Sequence, residues 1–256
     1  MFSRNKVAMV VAEFLGTGIL TLVIVSVQRS TIGIPYFVGL AAGLAAGLLM
    51  LVFNRASGAF LNPALTIGMW TARRIRTVPA IAYLVAELLG GYLAGLLYRY
   101  FVNGQMAPLS HDFSSRVLVG EAVGAAIFAM AAAAAVYGNF LESKKAALFG
   151  GGLALGIIAA SSASAGILNP AVALGANAWT WTTYVLGSVL GGLIGVNLYG
   201  LVFAPVTATE RVAASAATTA STTEAPARAS TKRVAAAKKP ATRKTAAKRR
   251  TTTKRK

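Results

Sequence analysis

The stretches SGAFLNPALTIG (residues 57–68) and SAGILNPAVALG (residues 164–175) carry one tripeptide twice, as Asn62-Pro63-Ala64 and Asn169-Pro170-Ala171. Asn followed by Pro is a helix start: the Asn side chain caps exposed backbone donors, and Pro fits the first helical position because its missing N–H would be unpaired there. Each copy is therefore predicted to open a helix, over Ala64 to about Thr71 and Ala171 to about Ala178. Both fall far short of the roughly 20 residues that cross a bilayer. They read as half-helices that enter a membrane and stop. Irregular backbone at that depth is tolerated only where protein buries it or where it lines a watery cavity, so two such loops together imply a pore.

Outward from these loops the chain reads as membrane spans. It has 256 residues, 56% of them hydrophobic and 12% charged, which marks a polytopic membrane protein rather than a soluble domain. No cysteine is present, which excludes disulfides and thiolate metal sites, and the single His111 leaves no histidine cluster for metal binding or acid–base work. No cofactor is expected. Six spans are predicted: Val7–Gln28, Ile32–Phe53, Val78–Phe101, Val117–Tyr137, Ala146–Ser161 and Trp179–Phe203. Arg73, Arg74 and Arg76 fall in one turn, Asn103–Ser115 is a polar connection, and the LESKK segment (residues 141–145) is a short turn. The first run is too long for a signal peptide and lacks a cleavage site followed by a soluble domain.

Six spans place both ends on one side. Arg4, Lys6, Arg55, Arg73, Arg74, Arg76, Lys144 and Lys145 share that side with the C-terminal tail, while Arg29 and Arg116 face the other. The positive-inside rule makes both termini cytoplasmic, in a multi-pass plasma-membrane protein. The two re-entrant loops then enter from opposite faces.

The halves, about residues 7–102 and 117–203, form one repeat. Glu13 precedes Asn62 by 49 residues and Glu121 precedes Asn169 by 48, and AELLGGYLAGLLY from Ala86 matches GSVLGGLIGVNLY from Gly187. Three spans per copy invert the second copy, giving a pseudo-two-fold axis in the membrane plane with the special site at the midplane. Glycines four residues apart, such as Gly39/Gly43/Gly47, Gly91/Gly95, Gly120/Gly124, Gly152/Gly156 and Gly187/Gly191/Gly195, let helix backbones approach closely.

Where the half-helix N-termini meet, two positive dipole ends face one midplane spot. Asn62 and Asn169, each with its carbonyl oxygen used as a cap, direct their NH2 groups into the lumen. A passing water gives its oxygen to both amides, which turns its hydrogens away from its neighbours and breaks a proton wire. The positive field also repels cations, so neutral molecules pass.

With paired NPA loops on a six-span inverted repeat, the chain resembles the aquaporin, or major intrinsic protein, family over about residues 7–203. The resemblance implies an all-α membrane fold of six transmembrane helices plus two re-entrant half-helices in an inverted 3+3 repeat. It also implies a homotetramer with one pore per subunit, and loop-supporting roles for Glu13 and Glu121 as acceptors of loop N–H groups. Glu87 stands where the family commonly has Gln, and Phe60 where the first loop often has His. Family water channels place Arg in the outer constriction three residues after the second Asn; here Val172 stands there. Counting from the two Asn residues, the other constriction positions fall on Ala42, Ile157 and Gly166. This implies a wide, apolar outer filter and a passive channel for water and small neutral solutes, with small polyols or ammonia as further candidates. The rival readings are an inverted-repeat secondary transporter and a non-conducting membrane scaffold; an enzyme is not expected.

Residues 1–203 are read as the channel domain and residues 204–256 as a disordered basic tail. Of the 25 basic residues, 14 lie after Pro205, beside only two acidic ones, Glu210 and Glu224. Its Ala/Thr/Lys/Arg composition cannot bury a core. On the cytoplasmic side such a tail is predicted to bind anionic lipid, with nucleic acid as the alternative partner.

Overall fold

The computed structural model describes residues 4–109 and 112–205, so the tail expectations and His111 lie outside the described residues. Among the described residues six helices are long and apolar enough to cross a membrane. In chain order these are α1 (Arg4–Gln28), α2 (Pro35–Ser57), α4 (Thr77–Val102), α5 (Ser115–Tyr137), α6 (Glu142–Ala160) and a last span centred on α8 (Leu186–Leu198). Two short helices intervene, α3 (Pro63–Thr71) and α7 (Pro170–Gly175). No strand occurs among the described residues. Because α3 lies between the second and third spans and α7 between the fifth and last, the two half-helices enter from opposite sides.

Several boundaries differ from the sequence reading, each for a local reason. The second helix begins at Pro35 rather than Ile32, because the chain after Arg29 folds into turns, with the Gly33 N–H donating to the Ser30 carbonyl at 3.1 Å. It runs on to Ser57, where Gly58 at φ 97° ends it in the left-handed conformation that glycine adopts without penalty. The LESKK turn is a correction: Glu142–Lys145 is the first turn of α6. Glu142 there suits the positive end of the helix and bonds Lys145 Nζ at 3.1 Å and Asn54 Nδ2 at 2.6 Å. The half-helix α7 stops at Gly175 rather than Ala178, since Asn177 takes φ 58° and the Ala178 N–H turns back to the Ala173 carbonyl at 2.8 Å. The last span opens at Trp181 rather than Trp179, and π-helical turns (Trp181–Val185 and Tyr199–Phe203) flank α8.

Glycine seams draw the helices together: α2 on α6 through Gly43 and Gly150, and α5 on α8 through Gly191 and Gly195. The half-helices are held across the repeat, α3 against α8 and α7 against α4. At these contacts a Cβ on Gly91 would strike the Ala171 carbonyl, and one on Gly192 would strike the Ala64 carbonyl. The two glycines occupy the same place in the two repeat copies, and each forms the floor on which the other half's short helix begins.

Gly91→Ala and Gly192→Ala are each expected to cost about 1–3 kcal/mol, because a backbone carbonyl cannot swing aside as a side chain can. Gly151, which has open space around its Cβ position, is the control. Thermal unfolding in detergent should show lower midpoints for the first two variants and no fall, or a small rise, for Gly151→Ala, since alanine favours a helix interior over glycine.

Candidate functional site

The site is the meeting of the two loops. Each begins with a serine turn, in which the Ser57 hydroxyl accepts the Ala59 N–H at 3.0 Å and the Ser164 hydroxyl accepts the Gly166 N–H at 3.0 Å. Ala59 and Gly166 then take positive φ (51° and 64°), as do Leu61 and Leu168 (54° and 53°) immediately before the two Asn residues. A left-handed leucine costs roughly 1–2 kcal/mol. It persists here because both polar groups of each leucine are fixed.

Their N–H groups point outward to buried carboxylates. Glu13 Oε1 accepts from the Phe60 N–H at 3.1 Å, and its Oε2 from the Leu61 N–H at 2.7 Å. Glu121 repeats the pattern on the Ile167 and Leu168 N–H groups, at 2.9 and 2.6 Å. The leucine carbonyls point the other way, each toward the opposite loop. Asn62 Nδ2 donates to the Leu168 carbonyl at 2.9 Å, and Asn169 Nδ2 donates to the Leu61 carbonyl at 2.9 Å. Meanwhile Asn62 Oδ1 accepts from the Ala64 N–H at 2.8 Å and Asn169 Oδ1 from the Ala171 N–H at 2.9 Å, so both amides cap their helices. This refines the sequence reading, in which the whole NH2 group faced the lumen. One N–H of each amide is committed to the facing loop, leaving one N–H apiece. Each Asn keeps 2% of its surface accessible.

Glu87 adds a support with no counterpart. Its Oε1 accepts from the Asn62 N–H at 3.2 Å and from the Thr66 hydroxyl at 2.7 Å. The matching residue of the second copy, Ser188, instead donates its hydroxyl to the Tyr184 carbonyl. Phe60 is buried and meets Tyr83 edge-on, with ring centroids 6.1 Å apart.

Of the residues counted as the outer constriction, Gly166 lies against Ile157: a Cβ on Gly166 would come 3.0 Å from the Ile157 carbonyl oxygen. Val172 stands on the first turn of α7, its N–H 3.4 Å from Asn169 Oδ1. Ala42 belongs to the same apolar core as Ile157 and Val172. Ala42 and Val172 have 0% exposure and Ile157 has 1%.

The sequence reading missed two further supports. Arg29 donates to the carbonyls of Ala107 and Ala176, both at 2.9 Å, tying the connection after α4 to the end of α7. Asn177 Nδ2 donates to the Met106 carbonyl at 3.0 Å. Their only sequence signals were one of two arginines assigned to the less basic side and an Asn after a short helix. Among the described residues no group of His, Cys, Asp or Glu could hold a metal ion.

Known proteins resemble this chain in sequence and in fold. The model of the major intrinsic protein family matches residues 2–203. The chain is 28% identical to Aquaporin Z of Photorhabdus laumondii over 75% of its own length and 96% of that protein. It is 31% identical to the probable aquaporin TIP3-2 of Oryza sativa subsp. japonica, over 69% and 71% of the two lengths. The structure of the aquaglyceroporin from Plasmodium falciparum superposes with a TM-score of 0.63 at 22% identity, covering 78% of this chain and 98% of that one, a likeness of fold.

Glu121→Gln keeps the side chain's shape but replaces one acceptor with a donor facing a loop N–H. The expected loss is about 1–3 kcal/mol of stability. Water permeability per folded molecule should fall with it, since Asn169 follows directly on the released backbone. Unfolding midpoints and vesicle swelling measured on one preparation check both; Glu13→Gln should behave alike.

Proposed function

This chain belongs to the major intrinsic protein family, and on that premise we propose that it is a passive channel in which Asn62 and Asn169 hold the permeating file at the midplane while protons and cations are turned away. Members of the family are channels rather than enzymes, and this chain is a multi-pass membrane protein and a channel for water and small solutes. The observation that carries the finer reading is the reciprocal bonding of the two amides across the loop junction. It brings two capped helix starts to one spot, with one N–H of each amide left to donate. A single water oxygen accepting both would have its hydrogens directed along the file, away from proton relay, and the two helix dipoles raise the energy of any cation there.

In this reading Ala42, Ile157, Gly166 and Val172 form the outer constriction. No arginine follows the second Asn at the third position, so the constriction has neither a fixed positive charge nor a fork of donors to replace a water's lost hydrogen bonds. Such a ring favours small neutral solutes, small polyols and ammonia among them, relative to a water-selective one. Glu13 and Glu121 serve the pore by fixing its loops. The channel works as a homotetramer in the plasma membrane with both termini cytoplasmic, and its basic tail is drawn to anionic headgroups.

Val172→Arg is expected to cut glycerol flux into proteoliposomes several-fold and to change water flux less. Stopped-flow light scattering reads both in the same vesicles. Equal water and glycerol permeabilities before and after the substitution would remove Val172 from the constriction.

A further inference from the structure

A groove runs down the seam between α1 and α4 on the outer surface of the bundle. Three cavities share residues along it. The first, about 530 Å³, has Lys6 and Arg76 at its mouth and Val10 and Ala82 within it. Val10 and Ala82 also line the second, about 410 Å³, which reaches Phe14, and Phe14 opens the third, about 200 Å³. Apart from the two cations and Thr77, the walls are apolar. The seam is shallow-walled because α1 and α4 meet through glycine: a Cβ on Gly18 would lie 3.3 Å from the Gly90 carbonyl.

Lys6 and Arg76 are exposed and lie at the same end of the bundle, and neither is bonded to any acidic group among the described residues. From Lys6 to Phe14 the groove descends about 12 Å at the helical rise per residue. That matches one leaflet of a hydrocarbon core roughly 30 Å thick. We infer that this groove is a binding site for one anionic phospholipid, its phosphate between Lys6 and Arg76 and one acyl chain along Val10, Ala82 and Phe14.

Charge disfavours the other occupants. The tail carries 14 basic residues against two acidic ones and is repelled by the same two cations. A second copy would need to bring a carboxylate. On this side of the described structure the acid is Glu142, whose two oxygens are already bonded to Lys145 and Asn54. A phosphodiester supplies the missing negative charge, and its chain supplies the apolar fill.

The test is native mass spectrometry of the full chain in detergent, titrated with phosphatidylglycerol or phosphatidylcholine of matched chain length. The expected result is preferential retention of phosphatidylglycerol, with the tightest binding event weakened roughly 30-fold in the Lys6→Gln/Arg76→Gln double variant. Ala82→Trp should remove the same event while leaving every charge in place. Because the double substitution touches only exposed residues and leaves the tail intact, its loss reads the groove alone and survives any folding defect in Ala82→Trp. Equal retention of the two lipids, or unchanged phosphatidylglycerol binding in the double variant, would overturn the assignment. So would a changed oligomeric state in Ala82→Trp with lipid binding intact, since it would mark the seam as an interface between copies.

Discussion

Two amides, each donating to the carbonyl that precedes the other, hold this structure together at its centre. The Asn62–Leu168 and Asn169–Leu61 bonds are both 2.9 Å long and buried. Leu61 and Leu168 are fully buried, so losing one bond would leave an unpaired buried carbonyl. The geometry can form only if each leucine takes a left-handed backbone, which aims its carbonyl at the partner loop and its N–H back at a carboxylate. The buried Glu13 and Glu121 are thus required by the same turn that joins the loops. Both are inaccessible to solvent, and every oxygen of the pair accepts a loop N–H.

Helix packing serves that junction. The short helices are too small to be stable alone, and each starts on a glycine floor supplied by the other repeat copy, Gly192 under Ala64 and Gly91 under Ala171. The exchange places both helix starts where their dipole ends converge. The two copies are nonetheless unequal. The first loop has Glu87 and Thr66 bracing Asn62, whereas the second has Ala173 and Ser188 at the matching places and gains its bracing from Arg29 at the end of α7. The first loop is therefore held by a buried acid within the bundle and the second by a half-buried cation at the end of α7, a difference that an exact repeat would not predict.

The architecture was legible in the amino-acid sequence because its causes are local. Apolar runs of span length, Asn-Pro at two helix starts and a repeat visible through Glu13 and Glu121 each act within a few residues or along one helix. Boundary errors arose where a local signal was outweighed: LESKK looks like a polar turn, yet Glu142 and Lys145 satisfy each other on the first turn of α6, and Ile32 looks apolar enough to span, yet Pro35 starts the helix.

By itself, then, the sequence determined six membrane helices and two capped half-helices. Which groups the caps, carboxylates and carbonyls would join was decided only in three dimensions, since the two amide bonds link residues 106 and 108 apart in the chain. No periodicity or spacing encodes the direction of a side-chain N–H. The same holds for the positions counted outward from Asn62 and Asn169: their residue types are legible in the sequence, but how the side chains of Ala42, Ile157 and Val172 come to share one core depends on how the surrounding helices pack.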